Sequence, residues 1–155
     1  MVPDRVEREI LIDAPIEVVW EVITDPAHVS GWFGETAEID LRPGGRITHA
    51  WKEEGGLTEE RGIVEKVEPP HYFSYRWIRG AQAEAREHNS TLVEFTLTVD
   101  GEGTRLRVVE TGFSKLDWPE DERREDAERH REGWEHELGE LGEYVLELER
   151  GSAPR

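Results

Sequence analysis

The spacing of apolar residues changes sharply along this chain, and that change constrains the fold more than any other feature. From residue 35 to 113 they recur at every second position, and after residue 118 they recur every three or four. A period of two marks strands with one covered face, and a period near 3.6 marks an amphipathic helix. In "TLVEFTLTVDGEGTRLRVVETGF", Val93, Phe95, Leu97 and Val99 alternate with Glu94, Thr96 and Thr98, and the turn falls at Asp100-Gly101-Glu102-Gly103. "ETAEIDLRPGGRITHAWKEE" reads as two strands joined at Pro43-Gly44-Gly45, and "LTEERGIVEKVEPPHYFSYRWI" as two more broken at Pro69-Pro70. The segment 79–90, "RGAQAEAREHNS", lacks a strand pattern and reads as a mobile loop.

Helices flank this block. A first strand, "VEREILIDA", runs into the helix "APIEVVWEVITDP", with Pro15 in its first turn and Pro26 at its end, and a short helix "DPAHVSGWF" follows. The C-terminal helix is expected from about residue 118 to 149, with Asp117 as cap, Pro119 in the first turn and Glu120 completing a capping box. Trp134, Leu138, Leu141, Val145 and Leu148 draw its apolar stripe. Gly133, Gly139 and Gly142 interrupt the helix, each at about 1 kcal/mol relative to alanine. Close approach to a sheet would justify them, with the Trp134 indole filling the wider gap. Its opening, "EDERREDAERHRE", carries Glu120–Arg124 and Glu125–Arg129 pairs and reads as a solvated face. The order is strand, two helices, about six strands and one long helix. It defines an α+β fold in which an antiparallel sheet curls around the last helix.

At 155 residues the chain is read as a single domain over 1–150 with a disordered tail at 151–155. Its formal charge of -17 argues against nucleic acid and anionic membranes as partners, both of which need a positive field. With no cysteine there is no disulfide frame or thiolate nucleophile, and no run of apolar residues is long enough to span a membrane. The charged start, "MVPDRVEREI", does not read as a signal peptide. The expectation is a cytoplasmic monomer or weak homodimer without a cofactor.

Five pieces, "APIEVVWEVITDPAHVSGWF", "LRPGG", "GIVEKVEPPHYFSYRW", "TLVEFTLTVDGEGTRLRVVETGF" and "EGWEHELGELGEYV", together resemble the SRPBCC superfamily. These are the START-related, birch-pollen-allergen-like helix-grip proteins. Within it the chain is similar to the family named after the C-terminal domain of the heat-shock protein 90 ATPase activator. The resemblance implies a seven-stranded antiparallel sheet gripping the C-terminal helix, with an apolar cavity between them. Its relatives include lipid carriers, polyketide cyclases, hormone receptors and co-chaperone domains, so it implies a fold and leaves the activity open.

Strand counting selects the candidate lining residues. Phe73, Tyr75 and Trp77 share a face, as do Ile47, His49 and Trp51, Val93 and Phe95, and Leu106, Val108 and Glu110. With Trp32, Phe113, Trp134 and Leu138 they outline an aromatic wall carrying two polar groups, His49 and Glu110. On an apolar face Glu110 should have a raised pKa and could grip a ligand or transfer a proton; solvation or an arginine partner at the strand end is the plainer reading. His49 reads first as a structural histidine. No metal is expected, because "HELGE" at 136–140 has Glu140 where a zinc helix needs its second histidine, and His130 and His136 do not share a face.

The first functional reading is a protein that binds or carries a small hydrophobic or aromatic molecule, such as a lipid. The second is a cyclase or dehydratase on a polyketide-like substrate, using His49, Tyr75 and Glu110. The third is a chaperone-interaction module; the family's eukaryotic co-chaperones carry an additional N-terminal domain that this sequence does not show.

Overall fold

A computed structural model describes residues 4–34, 36–53, 56–79 and 84–151. The chain runs β1 (Arg5–Ile12), α1 (Ile16–Thr24), α2 (Pro26–Val29), β2 (Thr36–Ile39), β3 (Arg46–Glu53), β4 (Gly56–Glu68), β5 (Tyr72–Ile78), β6 (Ser90–Asp100), β7 (Gly103–Thr111), a 3-10 turn (Phe113–Lys115) and α3 (Glu120–Gly151). Seven strands among the described residues form one antiparallel sheet in the order β1-β7-β6-β5-β4-β3-β2. The α+β helix-grip architecture expected from the change of period is therefore the observed one.

Local chemistry places each boundary. Pro15 precedes α1, and Asp25 separates α1 from α2, its side chain accepting from the Ala27 amide. This cap satisfies a donor that the four-residue helix cannot. The three expected turns fall where the Pro and Gly signals lie, and register brings the alternating apolar residues together across strands. Phe73 faces Phe95, Phe95 faces Val108, and Val93 faces Glu110. Val99 departs from the pattern, with 58% of its surface exposed. Residues 98–100 are all exposed, so β6 outruns the layer that covers it.

Along α3 the stripe is inward, as its spacing requires: Trp134, Leu138, Leu141 and Val145 are buried. Burial of an aromatic or aliphatic side chain contributes about 1.5–3 kcal/mol, which more than offsets the glycines. The glycines have a different reason from the one expected. A Cβ at Gly133 or Gly139 would meet nothing within 4 Å, and at Gly142 only the tip of Ile10 at 4.0 Å. Close approach occurs instead at Gly31, where a Cβ would lie 2.3 Å from the Tyr144 ring. The helix is thus admitted by a glycine opposite it. α3 starts at Glu120 rather than 118; Pro119 supplies its carbonyl to Arg123 N–H, and the Asp117 amide bonds to His88 O, so the expected Asp117 cap is displaced by the preceding turn.

Two further expectations change. In the 79–90 segment, Arg79 and Ser90 are buried, and Arg86, Asn89 and Ser90 form a hydrogen-bonded turn; residues 80–83 lie outside the described residues. Of the tail 151–155, Gly151 is still helical and 152–155 lie outside the described residues.

Candidate functional site

The charge run that opens α3 is not wholly a solvated face. Asp126 and Ala127 are buried, and His130 stands one turn beyond them on the same side. Glu110 of β7, Thr91 of β6 and Arg79 at the end of β5 meet them. The Glu110 carboxylate is completely buried and accepts four hydrogen bonds. Oε1 takes those of His130 Nδ1 and Trp134 Nε1, each at 2.8 Å, and Oε2 takes those of Thr91 Oγ1 at 2.5 Å and Arg79 Nη2 at 3.3 Å. Arg79 also donates to Asp126 Oδ2 at 3.0 Å and to the Trp77 carbonyl at 3.0 Å, with its guanidinium 5.3 Å from the Trp77 ring centre.

This geometry reverses the pKa expected of Glu110. Burial pushes the carboxyl up, but the opposing His130, the Arg79 guanidinium and the Thr91 hydroxyl outweigh it and hold it at about 2. Of the sequence alternatives, the arginine partner is observed and solvation is not. Every acceptor direction of Glu110 is used, so it orients His130 and Trp134 and lines neither of the two openings described below. The sequence reading puts Asp126 in a solvated charge run and weighs His130 only as a metal ligand. The available signal was spacing, since 126, 130 and 134 follow one another at helical intervals on the Trp134 face.

His49 lies inside, in edge contact with Phe33 at 4.5 Å between ring centres and 6.2 Å from Tyr75. Neither the His49 imidazole nor the Tyr75 phenol makes a hydrogen bond among the described residues. Burial holds the His49 imidazole down at about pKa 3 and pushes the Tyr75 phenol well up. The space they border, with Trp32, Phe73, Phe95 and Trp134 among its walls, is only about 10 Å³, the size of one water. Around His49, the interior of the apolar cavity expected between sheet and helix is filled by aromatic side chains. Trp32 fixes its indole by donating to the Val22 carbonyl at 2.9 Å, while Leu138 and Phe113 are core residues, Phe113 packing 5.6 Å from His130.

The usable opening lies next to this core. A pocket of about 250 Å³ is bounded by β3, β4, β5, the segment after α2 and α3. Its walls are Phe33, Trp51, Trp77 and Trp134; Gly133 forms part of its helix side, and Glu60, His130 and Glu137 supply polar groups. Phe33 stacks on Trp134 at 5.5 Å and 23°, and Trp77 meets the same indole edge-on at 6.1 Å. Of the rings that share the covered strand faces, Trp77 and Phe95 touch the Trp134 indole, whereas Phe73 and Tyr75 lie farther back and Phe33 of the segment after α2 stacks on it. Glu60 accepts from Trp77 Nε1 at 3.1 Å and so fixes that ring. The Glu137 carboxyl makes no hydrogen bond among the described residues, and burial together with Glu140 pushes it up to about 7 against the opposing pull of His136. Of the expected site residues, the pocket gathers Trp51, Trp77 and Trp134; Phe33, Glu60, His130, Gly133 and Glu137 complete it. A wider depression of about 750 Å³ over β2, β3 and β4 is lined by Glu38, Arg46, Glu59 and Arg61 and gathers no aromatic rings. Among the described residues no group of three or more His, Asp and Glu is placed to hold a metal ion, and no helix is long and apolar enough to cross a membrane.

A curved antiparallel sheet closed over one long C-terminal helix, with an aromatic pocket at their open edge, defines a helix-grip protein of the SRPBCC type. The chain belongs to the family described as activator of Hsp90 ATPase homolog 1-like protein, whose pattern it matches over residues 13–146. Solved structures agree. Protein MLL2253 from Mesorhizobium loti is 25% identical with a TM-score of 0.75, over 92% of this chain and 97% of that one. DynU16, a protein of the dynemicin biosynthetic locus, is 26% identical with a TM-score of 0.71, over 93% of this chain and 48% of that one. CalU16 from Micromonospora echinospora is 24% identical with a TM-score of 0.66, over 94% and 79%. No curated protein matches the chain.

Proposed function

We propose that this protein binds a small, flat, predominantly apolar molecule in the pocket between Trp51, Trp77 and Trp134. The observation that carries the reading is the pocket itself, about 250 Å³ walled by four aromatic side chains and left open where the neighbouring core is filled. Each buried ring face offers area at low cost in side-chain entropy, and fixed indoles favour a stacked ligand. The buried network supports this use: Glu110 anchors the Trp134 indole and Glu60 the Trp77 indole, so two walls are preorganised. The placement of DynU16 at a biosynthetic locus supports a small-molecule ligand rather than a macromolecular one.

A catalytic reading has less support. Glu110 has no acceptor position left for a substrate, and no hydrogen bond joins it to His49 or Tyr75, so the acid/base set expected from sequence is not assembled.

The test uses 2-naphthol and tryptophan emission. A saturable change is expected in the wild type and should be lost in Gly133→Leu. That side chain enters the pocket from a position where a Cβ meets nothing within 4 Å, so the fold should survive. An unchanged response in Gly133→Leu would place the ligand elsewhere, and no response in the wild type would end the binding reading.

A further inference from the structure

The aromatic pocket is not electrically neutral. Two carboxylates face it, Glu60 from β4 and Glu137 from α3, and neither forms an ion pair among the described residues. The Glu60 contact comes from a neutral indole N–H, which leaves its negative charge uncompensated. The two basic side chains in the lining are both committed elsewhere. Arg129 pairs with Asp126 at 2.9 Å and His130 with Glu110 at 2.8 Å. The pocket thus combines the aromatic rings of Phe33, Trp51, Trp77 and Trp134 with two carboxylates that make no ion pair among the described residues. An aromatic ring attracts a cation over its face, and a desolvated carboxylate gains most from a cation that it can meet without water. The chain's formal charge of -17 adds a field that draws cations toward it.

We propose that the ligand of this pocket is a small organic cation, a quaternary or protonated amine on an aromatic or aliphatic body, held by the four rings and by Glu60 and Glu137. This inference rests on the binding reading above and adds the sign of the ligand's charge. A neutral ligand would bury Glu137 further and leave it without a partner. A cation supplies the missing partner, so its binding should displace the proton that Glu137 holds near neutrality. The charged and titratable groups around Glu137 are Glu60 on β4 and Arg129, His130, His136 and Glu140 on α3; the lining residues of β3 and β5, Trp51 and Trp77, carry no charge.

The test compares phenyltrimethylammonium with tert-butylbenzene, which has nearly the same shape and no charge. Tryptophan emission and calorimetry are read on the wild type, Glu137→Gln and Gly133→Leu from pH 6 to 8. At pH 8 the cation should bind roughly tenfold or more tightly than the hydrocarbon. Its affinity should fall as pH drops below about 7, because the proton on Glu137 then competes. Glu137→Gln should weaken the cation, leave the hydrocarbon little changed and flatten the pH profile. Equal affinities, or a cation affinity that does not vary with pH, would overturn the charge assignment and leave the aromatic pocket standing. Failure of both probes to bind would overturn the pocket reading with it.

Discussion

Replacing Glu110 by glutamine preserves the side-chain shape and removes its charge. In the wild type the carboxylate accepts from His130, Trp134, Thr91 and Arg79 at 2.8, 2.8, 2.5 and 3.3 Å. An amide accepts at one end only, so its NH2 group must face an obligate donor whichever way it is turned, Trp134 Nε1 on one side or the Arg79 guanidinium on the other. Removing one partner from a buried, charged hydrogen-bond network costs about 3–5 kcal/mol. Proton linkage gives a second route to the magnitude. Burial opposes ionisation of Glu110, yet His130 and Arg79 hold its pKa at about 2, against 4.5 for an ordinary carboxyl. A carboxyl depressed in the folded state contributes stability that is present above 4.5 and lost as pH falls toward 2; the depression is worth about 3 kcal/mol. The two routes agree. For a domain of this length Glu110→Gln should lower Tm by roughly 6–20 °C at pH 7, measured by calorimetry. The gap to the wild type should narrow between pH 4.5 and 2, where the native carboxylate is itself titrated. A loss below about 2 °C at pH 7, or a gap undiminished at pH 2, would refute the account of the network.

Three further outcomes follow from the same contacts. Trp134→Ala removes a buried indole and the Glu110 donor together, and should cost about 3–5 kcal/mol in chemical denaturation; a neutral result would mean the helix presents another face to the sheet. Gly139→Ala should stabilise by roughly 0.5–1 kcal/mol, because its Cβ meets nothing within 4 Å and the helix gains propensity; destabilisation would show a contact the geometry does not contain. His49 is held by burial at a pKa of about 3 against 6.5, so the unfolded chain takes the proton first, and stability full above pH 6.5 is lost as pH falls toward 3. The Tm difference between wild type and His49→Phe should therefore shift in favour of the variant as pH falls from 6.5, and a constant difference would show that His49 is not buried neutral.

Element types, their order and the inward faces are legible in the chain's spacing, because those depend on neighbours two to four residues apart. Alternation placed Phe73, Tyr75, Phe95 and Glu110 on the covered face, and helical spacing turned Trp134, Leu138 and Leu141 toward the sheet, as their burial shows. The family resemblance followed from the same pieces, and it carried the sheet's topology. What the tertiary structure alone decided is everything that depends on the register between α3 and the strands. Glu110 meets His130 across 20 residues and Arg79 across 31, while Arg79 meets Asp126 across 47, and no local period encodes such pairs. That register turned an expected raised carboxyl into a depressed one, and part of an expected solvated charge run into an internal anchor. It also filled the cavity around His49 and moved the open space outward, where Phe33, Glu60 and Glu137 join Trp51, Trp77 and Trp134. Periodicity tells which way a side chain points; how closely two layers meet depends on their packed volumes, and here aromatic volume closed the interior and left room only at the rim.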